Sequence, residues 1–185
     1  MKKKLLIVLA VVAVLVIWGF SGYNKLITLN ESTDAQWAKV ETQYQRRFDL
    51  IPNLVNSVKA VLTQEQTVFS DLADARTRYA GATTPDERAS SASQVEGALS
   101  RLLVIVENYP QLASSANVRD LMAQLEGTEN RVSVERTRFN DEVRAYNTSV
   151  KRFPTVILAM LTGFGERAYF ESAEGTENAP TVNFD

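Results

Sequence analysis

Arg46, Arg47 and Asp49, with Pro52 and Asn53 close behind, form the strongest polar cluster of the sequence. Paired guanidiniums and an acid on a proline-kinked helix suit docking of a partner or an anionic ligand. The competing use is structural. Asp49 and Asn53 would bond to backbone groups freed by Pro52, and the arginines would pair with acids on a neighbouring helix. Glu126, Thr128, Glu129, Asn130 and Arg131 form a second cluster. Glu126 and Glu129 are three residues apart and share a helix face. As metal ligands they would need further acids from other helices and would select hard ions. Polar contacts that fix helix register demand less, and an interaction surface is the remaining use. Arg46, Arg47, Asp49, Asn53, Glu126, Glu129, Asn130 and Arg131 are therefore candidate interaction or register-setting residues.

Catalytic chemistry has little to work with. The chain contains no histidine and no cysteine. Histidine is the usual general base near neutral pH and the commonest metal ligand, so Ser-His-Asp systems, helical zinc motifs and Glu-x-x-His di-iron bundles are excluded. Disulfides, thiolate metal sites and a lipid-modified cysteine are excluded as well. Gly163-Phe164-Gly165 follows a helix and not a strand, so it reads as a helix C-cap and turn instead of a phosphate loop. No enzyme, cofactor or metal is expected.

The elements that must position these residues begin with an anchor. Leu5 to Phe20 is wholly apolar or glycine, and Gly22 and Tyr23 extend it. As a helix, Leu5–Tyr23 would cover roughly 28 Å, close to the ~30 Å hydrocarbon core of a bilayer. Trp18, Phe20 and Tyr23 lie at the distal end, where amphipathic rings favour the headgroups. Lys2, Lys3 and Lys4 place the N-terminus in the cytoplasm by the positive-inside rule. A cleaved signal peptide is the competing use, but the run is long for one and lacks a small-x-small cleavage site. Without the three lysines the net charge falls from −2 to −5, a poor match for nucleic acid.

Beyond the anchor the 185-residue chain reads as helix nearly throughout. Leu26, Leu29, Trp37, Val40, Tyr44, Phe48, Ile51, Val55, Val58, Leu62, Phe69, Leu72 and Tyr79 recur at helical spacing and predict one long helix, kinked or briefly broken near Asp49–Pro52. Ala80–Thr84 breaks it. Thr84, Pro85 and Glu87 then read as cap, first-turn proline and capping-box acid of a helix ending at Asn108-Tyr109-Pro110. Asn117 reads as the next N-cap, opening a long helix whose stripe runs from Val118 through Leu125, Phe139 and Tyr146 to Phe153. A short apolar helix over Thr155–Leu161 and a polar tail from Glu171 complete the chain. The expected fold class is all-α: a single transmembrane helix, then an antiparallel bundle. The expected division is a cytoplasmic stub (1–4), an anchor (5–23), a helical domain (24–170) and an extended or flexible tail (171–185).

Several strings also carry a family likeness. Tyr23-Asn24-Lys25-Leu26, Ala35-Gln36-Trp37-Ala38-Lys39-Val40 and Arg46-Arg47-Phe48-Asp49-Leu50-Ile51-Pro52-Asn53-Leu54-Val55 resemble the LemA family. So do Glu107-Asn108-Tyr109-Pro110, Leu125 to Val132, Tyr146-Asn147, Arg152-Phe153-Pro154, Gly163-Phe164 and Ala179 to Phe184. The resemblance implies a bacterial envelope protein with one N-terminal anchor and an up-and-down four-helix domain facing away from the cytoplasm. It implies no enzymatic activity, cofactor or catalytic residue. Taken together, these features predict a noncatalytic scaffold or interaction protein of the inner membrane, plausibly homo-oligomeric, with other envelope proteins as possible partners. An envelope ligand or ion sensor is the alternative.

Overall fold

The computed structural model of the chain describes residues 2–62 and 65–170. Among the described residues every regular element is an α-helix: α1 (Lys2–Val58), α2 (Gln66–Gly81), α3 (Pro85–Glu107), α4 (Pro110–Ala113), α5 (Ala116–Lys151) and α6 (Thr155–Thr162). The expected tail, residues 171–185, lies outside the described residues.

The N-terminal apolar run and the helix that follows it are one element, because α1 continues through Ser21 and Gly22. It also continues through Pro52, so of the kink or short break expected near Asp49–Pro52 there is no break. The helix stops instead after Val58, and the single helix expected as far as Tyr79 is two, α1 and α2. Composition gives no warning of this turn. It contains neither glycine nor proline, and Glu65, at the N-cap of α2, makes no side-chain cap bond. Packing decides it: Val58 and Leu62 are both buried, and the Leu62 and Val61 amides donate to the Val58 carbonyl at 2.9 and 3.0 Å.

The start of α3 follows the local code. Thr84 Oγ1 accepts from the Glu87 amide at 3.2 Å, and the Glu87 carboxylate accepts in return from the Thr84 and Thr83 amides. Those backbone bonds hold the Glu87 carboxyl below its usual range. Asn117 is inside α5 and not its cap; the helix opens one residue earlier, with the Arg119 amide donating to the Ser115 carbonyl at 3.0 Å. The short helix α4 was not expected. α6 ends as predicted, with Gly163 at φ 79° in the left-handed conformation that glycine adopts without steric penalty.

The chain divides into two compact units. The first comprises the chain up to Ala38 together with Thr137–Tyr169. Its core gathers Leu26, Tyr146, Val150 and Ala159, with Leu29, Leu158 and Phe164 packed against them. Trp37 and Phe139 add a tilted ring pair with centroids 5.2 Å apart. Phe153, expected to close the α5 stripe, is 76% exposed in the turn before α6.

In the first unit the segment after α6 is held by side chains. The Tyr146 hydroxyl donates to the Gly165 carbonyl at 2.9 Å. Buried Asn147 donates through Nδ2 to the Arg167 carbonyl and accepts from the Arg167 amide, each at 2.9 Å, as a strand neighbour would. The Arg167 guanidinium reaches Asn30 Oδ1 at 3.0 Å and Asp34 Oδ1 at 2.5 Å.

The second unit comprises Lys39–Arg136 and Phe170. Here α2 packs on α3, and the stripes close around Tyr44, Ile51, Leu54, Leu72, Leu99, Leu102 and Leu125, all nearly fully buried. Each such side chain contributes about 1.5–3 kcal/mol. Phe48 meets Tyr79 edge-on with ring centroids 4.7 Å apart.

Candidate interaction site

The second unit buries charge as well as hydrocarbon. Residue 47 of α1 falls on the core-facing stripe, between Tyr44 and Ile51 in helical order, so Arg47 is drawn inside and only 5% of it is exposed. Its Nη1 pairs with Glu96 Oε1 of α3 at 3.5 Å and, more closely, with Glu129 of α5. Glu96 is shared: it also accepts from Arg136 Nη2 of α5 at 2.5 Å. Arg136 donates in turn through Nε to the Tyr44 hydroxyl at 2.8 Å, and its guanidinium lies 5.2 Å from the Tyr44 ring and 4.4 Å from the Phe170 ring. The cluster thus sets two guanidiniums against two carboxylates and is balanced in charge.

The surroundings shift its titrating groups in consistent directions. Burial, followed by the Glu96 charge, pushes the Tyr44 phenol far above the ordinary range, so it stays a neutral hydrogen-bonding group. Burial lowers the affinity of Arg47 for its proton, and Glu96 partly offsets that. For Arg136 burial acts the same way, but its bonds to Glu96 and Tyr44 prevail and the net shift is upward. Nearby, Arg88 of α3 pairs with Glu41 of α1, and burial with Glu41 pushes the Tyr79 phenol up to about 12.

A groove of about 570 Å³ runs beside this cluster, lined by Arg47, Glu126 and Glu129 with Leu103, Arg119 and Met122 among others. The two polar clusters of the sequence therefore meet in space through Arg47, Glu126 and Glu129. The other candidates stay apart from it. Arg46 is exposed, and Asp49 is exposed with its carboxylate taking a bond from Gln45 Nε2 at 2.8 Å instead of serving backbone near Pro52. Asn53 is exposed, its carbonyl accepting from Ser57 Oγ at 2.8 Å; Asn130 and Arg131 are exposed on α5. Buried Thr128 bonds locally to the Leu125 carbonyl at 2.7 Å.

Glu96 and Arg136, which complete the network, escaped the sequence reading because each is a single charged residue in an ordinary helical pattern. Tyr44 was visible only as a core ring. A signal did exist for Arg47: a charged residue falling in register with Tyr44 and Ile51. Among the described residues no three Asp or Glu side chains converge as a metal site would require.

The arrangement defines a class: an all-helical protein carrying one apolar helix long enough to cross a membrane and a charge-balanced interhelical network whose Arg47, Glu96 and Arg136 are largely buried while Glu129 reaches the surface. Known proteins narrow it. The LemA family model matches residues 36–184, and the chain belongs to the LemA family. Relatives include the magnetosome protein MamQ 2 of Paramagnetospirillum magneticum, 29% identical over 175 residues, with 80% of this chain and 64% of the relative covered. The magnetosome protein MamQ of Magnetospirillum gryphiswaldense is 29% identical over 174 residues with the same coverage. The chain thus spans less than two thirds of the length of these relatives. Neither name denotes an enzyme.

Proposed function

We propose that the chain is a noncatalytic, membrane-anchored scaffold or interaction protein of the bacterial cell envelope, self-assembling, with its N-terminus in the cytoplasm and its helical domain periplasmic or extracellular. The observation that carries this is the fate of the charged residues. Those drawn inside are spent on one another across three helices, and the groove they border presents paired charge and apolar surface instead of a nucleophile beside a base.

The domain that would do this is an antiparallel, up-and-down four-helix bundle of α1, α2, α3 and α5. Support comes from the order of the partners within the second unit. Glu41 pairs with Arg88 and Arg47 with Glu96, numbers rising together, so α1 and α3 run the same way. Arg47 pairs with Glu129 and Tyr44 with Arg136, numbers opposed, so α5 runs against α1. Arg78 bonds Gln94 and Asp71 pairs with Arg101, opposed again, so α2 runs against α3.

The test is the mass of the full-length protein in mild detergent, compared with a shortened chain starting at Tyr23. A shared multimer is the expected result and assigns assembly to the helical domain. Two monomers that also enrich no envelope protein in a quantitative pull-down would overturn the proposal.

One observation favours a second reading, a ligand or ion sensor. Arg47 Nε is buried without a hydrogen-bond partner among the described residues, and Arg47 lines the groove. The Nε atom itself is closed to solvent, so an anion would meet Arg47 through the part of its side chain that lines the groove, near Arg119. Such a ligand at 100 times its dissociation constant raises stability by about 2.7 kcal/mol, so a thermal-shift screen of small anions separates the readings.

A further inference from the structure

α6 is out of place as a helix of a water-soluble surface. Its eight residues read Thr-Val-Ile-Leu-Ala-Met-Leu-Thr, with no charge. One face is used internally, Leu158 and Ala159 packing with Leu26, Tyr146 and Val150. The other is open: Met160 is 79% exposed, Leu161 78% and Ile157 47%. These three fall at i, i+3 and i+4 and share a face, and exposed Phe153 precedes them in the adjoining turn. Large apolar side chains concentrated in this way mark a contact with something other than water.

Position says what that is. α6 lies against the outer end of the apolar run of α1. A Cβ on Gly22 would stand 2.6 Å from Leu158 Cδ1, so the glycine admits the short helix at close range. Thr162 shares a shallow apolar cleft with Val16, Gly19, Phe20 and Tyr23, and the Phe164 ring centroid is 6.0 Å from that of Tyr23. Tyr23 lies where the Leu5–Tyr23 run leaves the hydrocarbon, and Val16 lies about 10 Å of helix rise deeper. Phe20 of that cleft and neighbouring Ile17 are each 68% exposed, so α6 sits beside exposed apolar surface of the same run.

The polar groups are arranged to match. The Thr162 hydroxyl donates to the Leu158 carbonyl at 2.6 Å, and the Ala159 carbonyl accepts from the Phe164 amide at 3.0 Å as well as from the Gly163 amide, so these polar groups are turned back onto the helix. Exposed Lys25, Lys151 and Arg152 carry long basic side chains suited to the headgroup level, with Lys151 also paired to Glu166 at 2.7 Å.

We propose that α6 is an interfacial membrane helix, with Phe153, Ile157, Met160 and Leu161 immersed among lipid acyl chains of the leaflet at the anchor's distal end. It rests on the anchor assumed in the proposed function, and the protein's lack of cysteine makes it directly testable. Spin labels are placed singly on Met160→Cys, Leu161→Cys, Leu15→Cys and Gln124→Cys in the full-length chain, in vesicles of phosphatidylcholine and phosphatidylglycerol. Collision with oxygen and with a water-soluble nickel chelate is then measured. The expected result is an oxygen-to-nickel ratio at 160 and 161 well above that at 124 but below that at 15, which lies near the middle of the apolar run. Nickel access at 160 and 161 equal to that at 124, with 15 lipid-exposed, overturns the inference and leaves the anchor standing. Protection from both reagents assigns the face to a second protein copy and overturns it too. Nickel access at 15 removes the anchor and this inference together.

Discussion

Glu96→Gln is the most searching perturbation of the buried network. Glu96 serves two guanidiniums, Arg47 at 3.5 Å and Arg136 at 2.5 Å, and the three side chains are 18, 6 and 19% exposed. Removing one partner of a buried ion pair costs about 3–5 kcal/mol, because the remaining charge stays desolvated. Here Glu129 still faces Arg47 and the Tyr44 hydroxyl still faces Arg136, which places the loss at the lower end, about 3 kcal/mol. For a chain of this size each kcal/mol moves the melting temperature by roughly 2–4 °C, so a fall of about 6–12 °C is expected. Far-ultraviolet circular dichroism of the full-length protein in mild detergent, on heating, measures it. Asp71→Asn is the control: its pair with Arg101 is at the surface, the side chains 47 and 71% exposed, and such pairs contribute about 0–1 kcal/mol. If Glu96→Gln costs no more than this control, the network does not hold the helices in register and the reasoning fails.

The remaining predictions concern the other polar groups. Asn147→Ala should cost about 1–3 kcal/mol by leaving the Arg167 amide and carbonyl without their side-chain partner, and hydrogen exchange should show the Arg167 amide losing protection. In alkali, Tyr79, with its phenol pushed up to about 12 by burial and by Glu41, should ionise well above the ordinary phenol range. A folded-state value above the unfolded ~10 stabilises fully below pH 10, and that stabilisation is lost as the pH rises towards 12. Phenolate absorbance followed across that range in the native chain and in Tyr79→Phe checks it, and an early, unshifted titration would contradict the burial assigned to this ring.

Helix type, the Thr84 capping box, the Gly163 terminus and most of the core stripe were legible because each rests on local rules: a 3.6-residue period, a cap spacing, a glycine. The turn between α1 and α2 was not, since its residues are ordinary helix formers and only the burial of Leu62 ends the helix. Pro52 does not break α1, because the apolar face packs on both sides of it: Phe48, Ile51, Leu54 and Val58 are buried. Of the candidate site, Arg47, Glu126 and Glu129 could be named from the sequence, but that they share one groove depends on α1 and α5 lying side by side. Glu96 and Arg136 have no local signature at all.

The make-up of the first unit fixes an order of events during synthesis. Leu26 and Trp37 leave the ribosome early, whereas Tyr146, Val150 and Phe139, which cover them, follow about 100 to 125 residues later. At about 5–20 residues per second that interval is roughly 5–25 s. All of Lys39–Arg136 is translated within it, so the second unit can collapse, save for Phe170, while the first still waits for its other half. The nascent chain thus carries a span of uncovered apolar side chains just beyond the N-terminal apolar run, for a time set by translation and not by folding. Ribosome pausing within residues 39–136 would lengthen that exposure, making speed of elongation a determinant of yield for this protein.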